Sequence, residues 1–350
     1  MRRSETLRVL DSAHTYALRG IRGHALQRRD SGGSRLWALT TMQIHDILGL
    51  DPGEIVYFVE DSYAVLKNNS LSLQYLEVIQ KDPEAHMEGV LDENDHLIGL
   101  ILLSPGNDES GDERAVFTNI VSSVPVPNES SKHFSALAGN LSLNKTYMTT
   151  IKKFREAVIE YYSNALVNRQ LCENCISAKE PYEMVYIPGR NIRLKAILDK
   201  HRLRGDILEI CCGNGMSTLP LHEMGYDPLT IDLDRCQICQ GLEHKVLYPG
   251  RTIVLDATRL SEFFMEKSFD TIAGFMLGTI YSFNRGIWEK MISEAVKLLK
   301  PGGIILLTVN KKEEMEILYS ALERSRVKGE MIDNTDEKGI YDQWVYVGTR

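Results

Sequence analysis

The stretch Asp206-Ile207-Leu208-Glu209-Ile210-Cys211-Cys212-Gly213-Asn214-Gly215, followed by Met216-Ser217-Thr218, decides the fold of this chain. Residues 207–210 form a short apolar run with the length of a buried strand. Gly213 and Gly215 then permit a tight turn with positive φ and a close backbone approach to a ligand. A helix is expected from about Ser217, and its free N–H groups would face an anionic group such as a carboxylate. A plain strand–turn–helix connection would also contain glycine, so the weight falls on the surrounding sequence.

Outward from the turn, residues 192–203 read as a helix before the strand. Further strands are expected at 229–233, 252–255, 271–275 and 304–309, with helical stretches between them, including 288–299. Short apolar strands alternating with helices imply a parallel sheet covered on both faces. A helix over 313–324 precedes two more strand-like pieces, 327–332 and 341–347. The turn-rich residues 333–339 join these pieces as an antiparallel hairpin at the sheet edge. The expected fold is α/β: a doubly wound, mostly parallel seven-stranded sheet with an antiparallel terminal hairpin, preceded by a small mixed segment.

Asp232 follows Glu209 by 23 residues, at the end of the second strand. An acid at that place in a nucleotide-binding sheet accepts hydrogen bonds from ribose hydroxyls. Leu233 beside it could cover one face of an adenine ring. Asp256-Ala257 closes the third strand, where a carboxylate could accept from an exocyclic amine. Any one of these acids alone reads better as a helix cap or a solvated loop residue. Three acids at successive strand ends, in register with a glycine turn, point together to a nucleoside ligand.

With these residues in place, the chain resembles the class I S-adenosylmethionine-dependent methyltransferase family over about residues 180–350. Glu209 through Gly215 match its first motif, Asp232 and Asp256 its acids after the second and third strands. Ser268 through Phe275 match its fourth strand. Leu298-Leu299-Lys300-Pro301-Gly302-Gly303 match the turn before its fifth. One departure is Cys211, where the family has its first glycine; a Cβ there crowds the methionine end of the ligand. The resemblance implies S-adenosyl-L-methionine as cofactor, held by Glu209, Gly213, Gly215, Asp232, Leu233, Asp256, Ala257 and Phe275.

Methyl transfer asks little of the protein beyond proximity and in-line orientation. A base is needed only where the nucleophile carries a proton, and no catalytic residue is assigned. After the fourth strand the chain reads Phe275-Met276-Leu277-Gly278-Thr279, without the Asn-Pro-Pro-Tyr motif of enzymes that methylate base amino groups. No Pro-Cys nucleophile for cytosine and no radical-type cysteine run occurs either. A small molecule or a protein is the expected acceptor. Tyr281, Tyr182, Tyr186 and His222 are acceptor-side candidates, although each also reads as core or surface. A nicotinamide-dependent oxidoreductase would share the glycine turn and ribose acid, but its third glycine would fall at Thr218. A binding module without turnover is the alternative from another class.

Composition sets the remaining bounds. The 350 residues are 43% hydrophobic and 25% charged, ordinary for a globular protein. No apolar run approaches the roughly 18 residues that span a bilayer, and the N-terminus lacks a secretory apolar segment. A cytoplasmic protein without membrane association is expected. Residues 1–41 hold eight Arg, no Lys and three acids, a local charge of +5 in a chain of net −8. The rest therefore carries −13, which argues against a phosphate backbone as partner. Residues 1–41 read as a flexible tail, or as an over-extension upstream of Met42. Residues 42–146 read as a small mixed α/β domain, with strands at 54–59 and 96–103, a helix at 71–79 and a solvated loop at 107–113. Residues 147–189 read as a helical connector or lid, with apolar positions from Ile151 to Ala165 at helical spacing. The catalytic domain is expected over 190–350.

Cys172 and Cys175 form one C-x-x-C pair, and Cys236 and Cys239 form another on the helix after Asp232. Together they have the donors for a structural four-thiolate zinc site. The gap of 60 residues and the helical setting of the second pair favour reduced thiols instead, with no metal assigned.

Overall fold

The structure is a computed structural model that describes residues 42–104, 112–121, 128–168, 186–337 and 339–350. The expected tail at 1–41, most of the expected loop at 107–113, Cys172, Cys175 and Tyr182 lie outside the described residues. The chain divides into two units, Met1–Glu173 and Asn174–Arg350. Among the described residues, no helix is long and apolar enough to cross a membrane.

The first unit is built on a five-stranded mixed sheet in the order β1-β4-β3-β2-β5. Its strands are β1 (Ile55–Phe58), β2 (His86–Leu91), β3 (Leu97–Ser104), β4 (Glu113–Phe117) and β5 (Lys145–Met148). The near-continuous apolar run of β3 follows from burial on both faces. Leu100 and Leu102 pack with Leu76 and Ile79 of α2 (Ser70–Ile79) and with Phe134 and Leu137 of α3 (Glu129–Ala138). α1 (Ile44–Leu48) opens the described chain. On the other face of β3, a Cβ at Gly99 would stand 2.9 Å from the Phe154 ring, so the glycine admits helix α4 (Ile151–Val167). That helix buries Phe154, Ala157, Val158 and Ile159, and the Tyr162 hydroxyl donates to the Glu60 carbonyl at 2.9 Å. The helical spacing after Ile151 therefore marks a core helix of this unit. Glu113, expected in a loop, begins β4 instead; its partner in the ladder is Ser104 of β3.

The second unit is the expected doubly wound α/β layer structure. Its seven-stranded sheet runs β11-β12-β10-β9-β6-β7-β8. The five parallel strands are β6 (Ile207–Ile210), β7 (Leu229–Asp232), β8 (Thr252–Val254) at the edge, β9 (Phe269–Gly274) and β10 (Leu299–Val309). β12 (Trp344–Thr349) is antiparallel to both β10 and β11 (Lys328–Asp333). All four residues of β6 are buried, the apolar Ile207, Leu208 and Ile210 and with them the charged-type Glu209. The helices are α5 (Pro188–His201), α6 (Thr218–Glu223), α7 (Arg235–Glu243), α8 (Arg285–Leu298) and α9 (Lys312–Arg324). Leu194 and Leu198 of α5 pack with Ile207, Ala273, Phe275, Leu306 and Val345 on one face of the sheet.

Several boundaries shift from expectation: β10 begins at Leu299 rather than at residue 304, the helix expected at 288–299 runs Arg285–Leu298, and two further shifts have a local physical reason. Helix α5 starts at Pro188 rather than residue 192, because proline is favoured where the first N–H has no helical partner. The last strand begins at Trp344 rather than at residue 341. Asp342 has φ 54°, which no strand tolerates, and Tyr341 and Asp342 stay in the loop at the site edge.

Candidate functional site

The glycine turn leaves β6 at the carboxyl edge of the parallel strands, beside the end of β7. This is where the strand order reverses and where open α/β sheets hold ligands. Cys211, Gly213 and Gly215 all have positive φ, at 57°, 56° and 83°. The two glycines do different work. A Cβ at Gly213 would meet nothing nearer than Gln237 Oε1 at 3.9 Å, so this position is open to a ligand. A Cβ at Gly215 would stand 2.7 Å from Leu247, so this glycine serves close packing. Cys211 holds a left-handed conformation that costs an L-residue about 1–2 kcal/mol. Its Sγ lies 3.5 Å from Met291 Sδ on α8. Burial pushes its thiol up to about 12, which favours the protonated form.

Asp232 ends β7, and its carboxylate ties the turn in place. Gly213 N–H donates to Oδ2 at 2.8 Å and Asp234 N–H donates to Oδ1 at 2.7 Å. Each oxygen keeps a further lone pair for a hydroxyl donor. Asp256 caps the 3-10 helix Ala257–Glu262: its Oδ1 accepts from Thr258 N–H at 2.8 Å and from the Thr258 hydroxyl at 2.7 Å. Leu233 is 66% exposed beside Asp232 and Ala257 is buried. Phe275 lies in the core cluster under α5.

Glu209 is wholly buried on β6. The Thr218 hydroxyl donates to its Oε2 at 2.7 Å, while Oε1 has no partner among the described residues. A buried carboxylate oxygen without a donor costs about 1–3 kcal/mol, so the ionised form of Glu209 calls for a further donor. Burial pushes the carboxyl up to about 8, against the opposing pull of the Thr218 hydroxyl and Arg190. Between pH 4.5 and about 8 the folded ligand-free protein therefore holds a proton that the unfolded chain has lost. Stability falls as pH rises through that window. Replacing Glu209 by Gln is expected to flatten that fall, and urea denaturation at several pH values measures it. Equal pH slopes for variant and wild type would remove Glu209 from this role.

The cation at the turn comes from α5 and had no sequence signal. Arg190 Nε donates to Asp342 Oδ2 at 2.7 Å, and its NH2 group donates to Ser217 Oγ at 2.7 Å. Its guanidinium lies 4.8 Å from the Tyr341 ring centroid. Arg193, one turn further on, holds the same loop through the Asn334 and Tyr341 carbonyls and Asp336. A cleft of about 230 Å³ opens here, lined by Tyr186, Arg190, Asn191, Asn214, Met216 and Tyr341 among others. Of the expected acceptor-side groups, Tyr186 faces this cleft and Tyr281 is exposed in the loop after β9. His222 is buried against Tyr248, with ring centroids 4.0 Å apart, and belongs to the packing.

Cys236 is half-buried and Cys239 buried on α7. Among the described residues, no group of three or more His, Cys, Asp or Glu could hold a metal ion.

Residues 207–303 match the family described as methyltransferase domain. No curated protein matches the chain. Solved structures with similarity include an S-adenosylmethionine-dependent methyltransferase from Archaeoglobus fulgidus, at 13% identity. It covers 46% of this chain and 94% of its own, with a TM-score of 0.35. A second, from Clostridium acetobutylicum, has 14% identity, 45% and 89% coverage and a TM-score of 0.36. A Haemonchus contortus phosphoethanolamine N-methyltransferase bound to S-adenosylmethionine has 17% identity, 46% and 52% coverage and a TM-score of 0.34.

Proposed function

We propose that the C-terminal unit, with its methyltransferase domain at 207–303, binds S-adenosylmethionine and transfers its methyl group to a small molecule or a protein. The observation that carries this reading is the arrangement of Glu209, Asp232 and Asp256 at three successive strand ends around a glycine turn open at Gly213. The unpartnered Glu209 Oε1 suits the ligand's ammonium group, and Asp232 suits its ribose hydroxyls. Leu233 and Asp256 suit the adenine. Arg190 supplies the positive charge for the carboxylate, in a cleft that also contains Asn214 and Met216 of the turn.

When bound, the cofactor supplies an electrophilic methyl carbon on a sulfonium. The chain's part is to orient it and to keep water from the turn. Buried Glu209 and Thr218 fix the floor, and Arg190 with the loop through Tyr341 forms a wall. Thr218 also weighs against the nicotinamide alternative. At the place of that family's third glycine it is fully buried, with its hydroxyl spent on Glu209.

Calorimetry is expected to show saturable binding of S-adenosylmethionine and of its demethylated product, and none of NAD. Labelled methyl transfer to a cell extract then separates an enzyme from a binding module. Binding of NAD in place of S-adenosylhomocysteine would end the reading.

A further inference from the structure

Of the three acids at the strand ends, Glu209 is the one least served by the chain. Asp232 and Asp256 are half-buried, and each accepts two hydrogen bonds from neighbouring N–H or hydroxyl groups. Glu209 is fully buried and accepts one, from the Thr218 hydroxyl at 2.7 Å, with none at Oε1 among the described residues. A carboxylate taken out of water with a single neutral donor is costly to ionise, so the proton stays on.

The groups around it leave this imbalance in place. Thr218 of α6 and, through space, Arg190 of α5 favour the ionised form, while Asp232 of β7 opposes it. Arg190 shares its charge with Asp342, to which Nε donates at 2.7 Å, and its NH2 group donates to Ser217 Oγ at 2.7 Å. Cys211 and Cys212 follow in the turn, and burial pushes both thiols up, which favours their neutral form. Within the sheet the register partners of Glu209 are Thr230 and Ala273, both uncharged.

The methionine end of S-adenosylmethionine brings an ammonium group to this turn. Resting on the cofactor reading above, we infer that cofactor binding releases one proton: Glu209 is neutral in the free protein and gives its proton to solvent when the ligand's ammonium is seated. The ammonium supplies the counter-charge that the chain lacks. The effect needs no direct contact, because charges a few ångströms apart interact strongly where water is excluded. Thr218 stays with the ionised carboxylate as its donor. Over the range in which free Glu209 is protonated and bound Glu209 ionised, affinity rises about tenfold per pH unit, the signature of one proton released.

Calorimetry of S-adenosylhomocysteine binding at about pH 6 tests this, run in phosphate and in imidazole, which differ in ionisation enthalpy. At that pH the ligand's α-amine is already protonated, so it contributes no proton of its own. Wild-type protein is expected to release at least about 0.7 proton per ligand and to bind about tenfold more tightly one pH unit higher. Glu209→Gln is expected to release less than about 0.2 proton, with affinity changing less than about twofold over the same unit. Thr218→Val, which removes the donor to the ionised carboxylate, is expected to weaken binding at least about fivefold, and Thr218→Ser to restore it. Thr218→Val also keeps the inference exposed to test if Glu209→Gln does not fold. Saturable wild-type binding with less than about 0.2 proton released overturns the inference and leaves the cofactor reading standing. The same holds if Glu209→Gln releases as many protons as wild type, or if Thr218→Val binds within twofold of it. Absence of S-adenosylhomocysteine binding to wild-type protein at every pH would remove both.

Discussion

Replacing Asp232 by Ala is expected to weaken binding of S-adenosylmethionine by roughly 2–4 kcal/mol, about 30-fold or more. Two losses combine in that figure. The first is the charge-assisted hydrogen bonds that a carboxylate at the end of β7 offers to ribose hydroxyls. The second is internal: Gly213 N–H and Asp234 N–H both donate to this carboxylate, so its removal loosens the turn that faces the ligand. Asp232→Asn separates the two. The amide retains one oxygen acceptor but places a donor where the second oxygen stood, so the turn is held on one side only and the charge is gone. Its affinity should fall between those of wild type and Asp232→Ala. Calorimetry with S-adenosylhomocysteine reads all three proteins. Unchanged affinity in Asp232→Ala would remove this residue from the ligand site, whatever the fold.

The acids of the site were legible because their signal is local. Each sits at the end of a short apolar run, and a parallel sheet brings successive strand ends to one edge. Arg190 and Asp342 carried no such signal. They are 152 positions apart in the chain, and only the packing of α5 against the β11–β12 loop brings them together at the turn.

The strands show the same division. β6 and β9 lie in the buried middle of a parallel sheet and read as apolar runs. β5, with Lys145 and Thr146 exposed on a sheet edge, does not, and β2 is broken in pattern by Glu88 and Gly89. Glu88 is tolerated there because its carboxylate accepts the Tyr147 hydroxyl of the neighbouring strand at 2.8 Å. Gly89 lies close under Leu143, where a Cβ would stand 2.7 Å from the side chain. Such exceptions are set by the partner strand, so a single segment read alone cannot reveal them.

Replacing Arg190 by Met is expected to destabilise the C-terminal unit by about 3 kcal/mol, the low end for breaking a buried ion pair. The side chain of Asp342 is 1% exposed and that of Arg190 13%, so the aspartate would be left charged and unpaired inside the protein. The low end is appropriate because the Thr308 hydroxyl still donates to Asp342 Oδ1. The double variant Arg190→Met with Asp342→Asn should recover most of the loss. Asn carries no charge to bury, and it tolerates the positive φ of 54° at that position. Urea denaturation followed by the fluorescence of Trp288 and Trp344, both in this unit, measures each step. A single variant within about 0.5 kcal/mol of wild type, the scale of an ordinary surface change, would show that the pair contributes nothing. The double variant also isolates function from stability. It is folded but lacks the cation beside Ser217, so its affinity for S-adenosylhomocysteine should stay low while its stability returns. Recovery of both together would mean that Arg190 acts only by holding the Asp342 loop, and that the ligand's carboxylate finds its partner elsewhere at the turn.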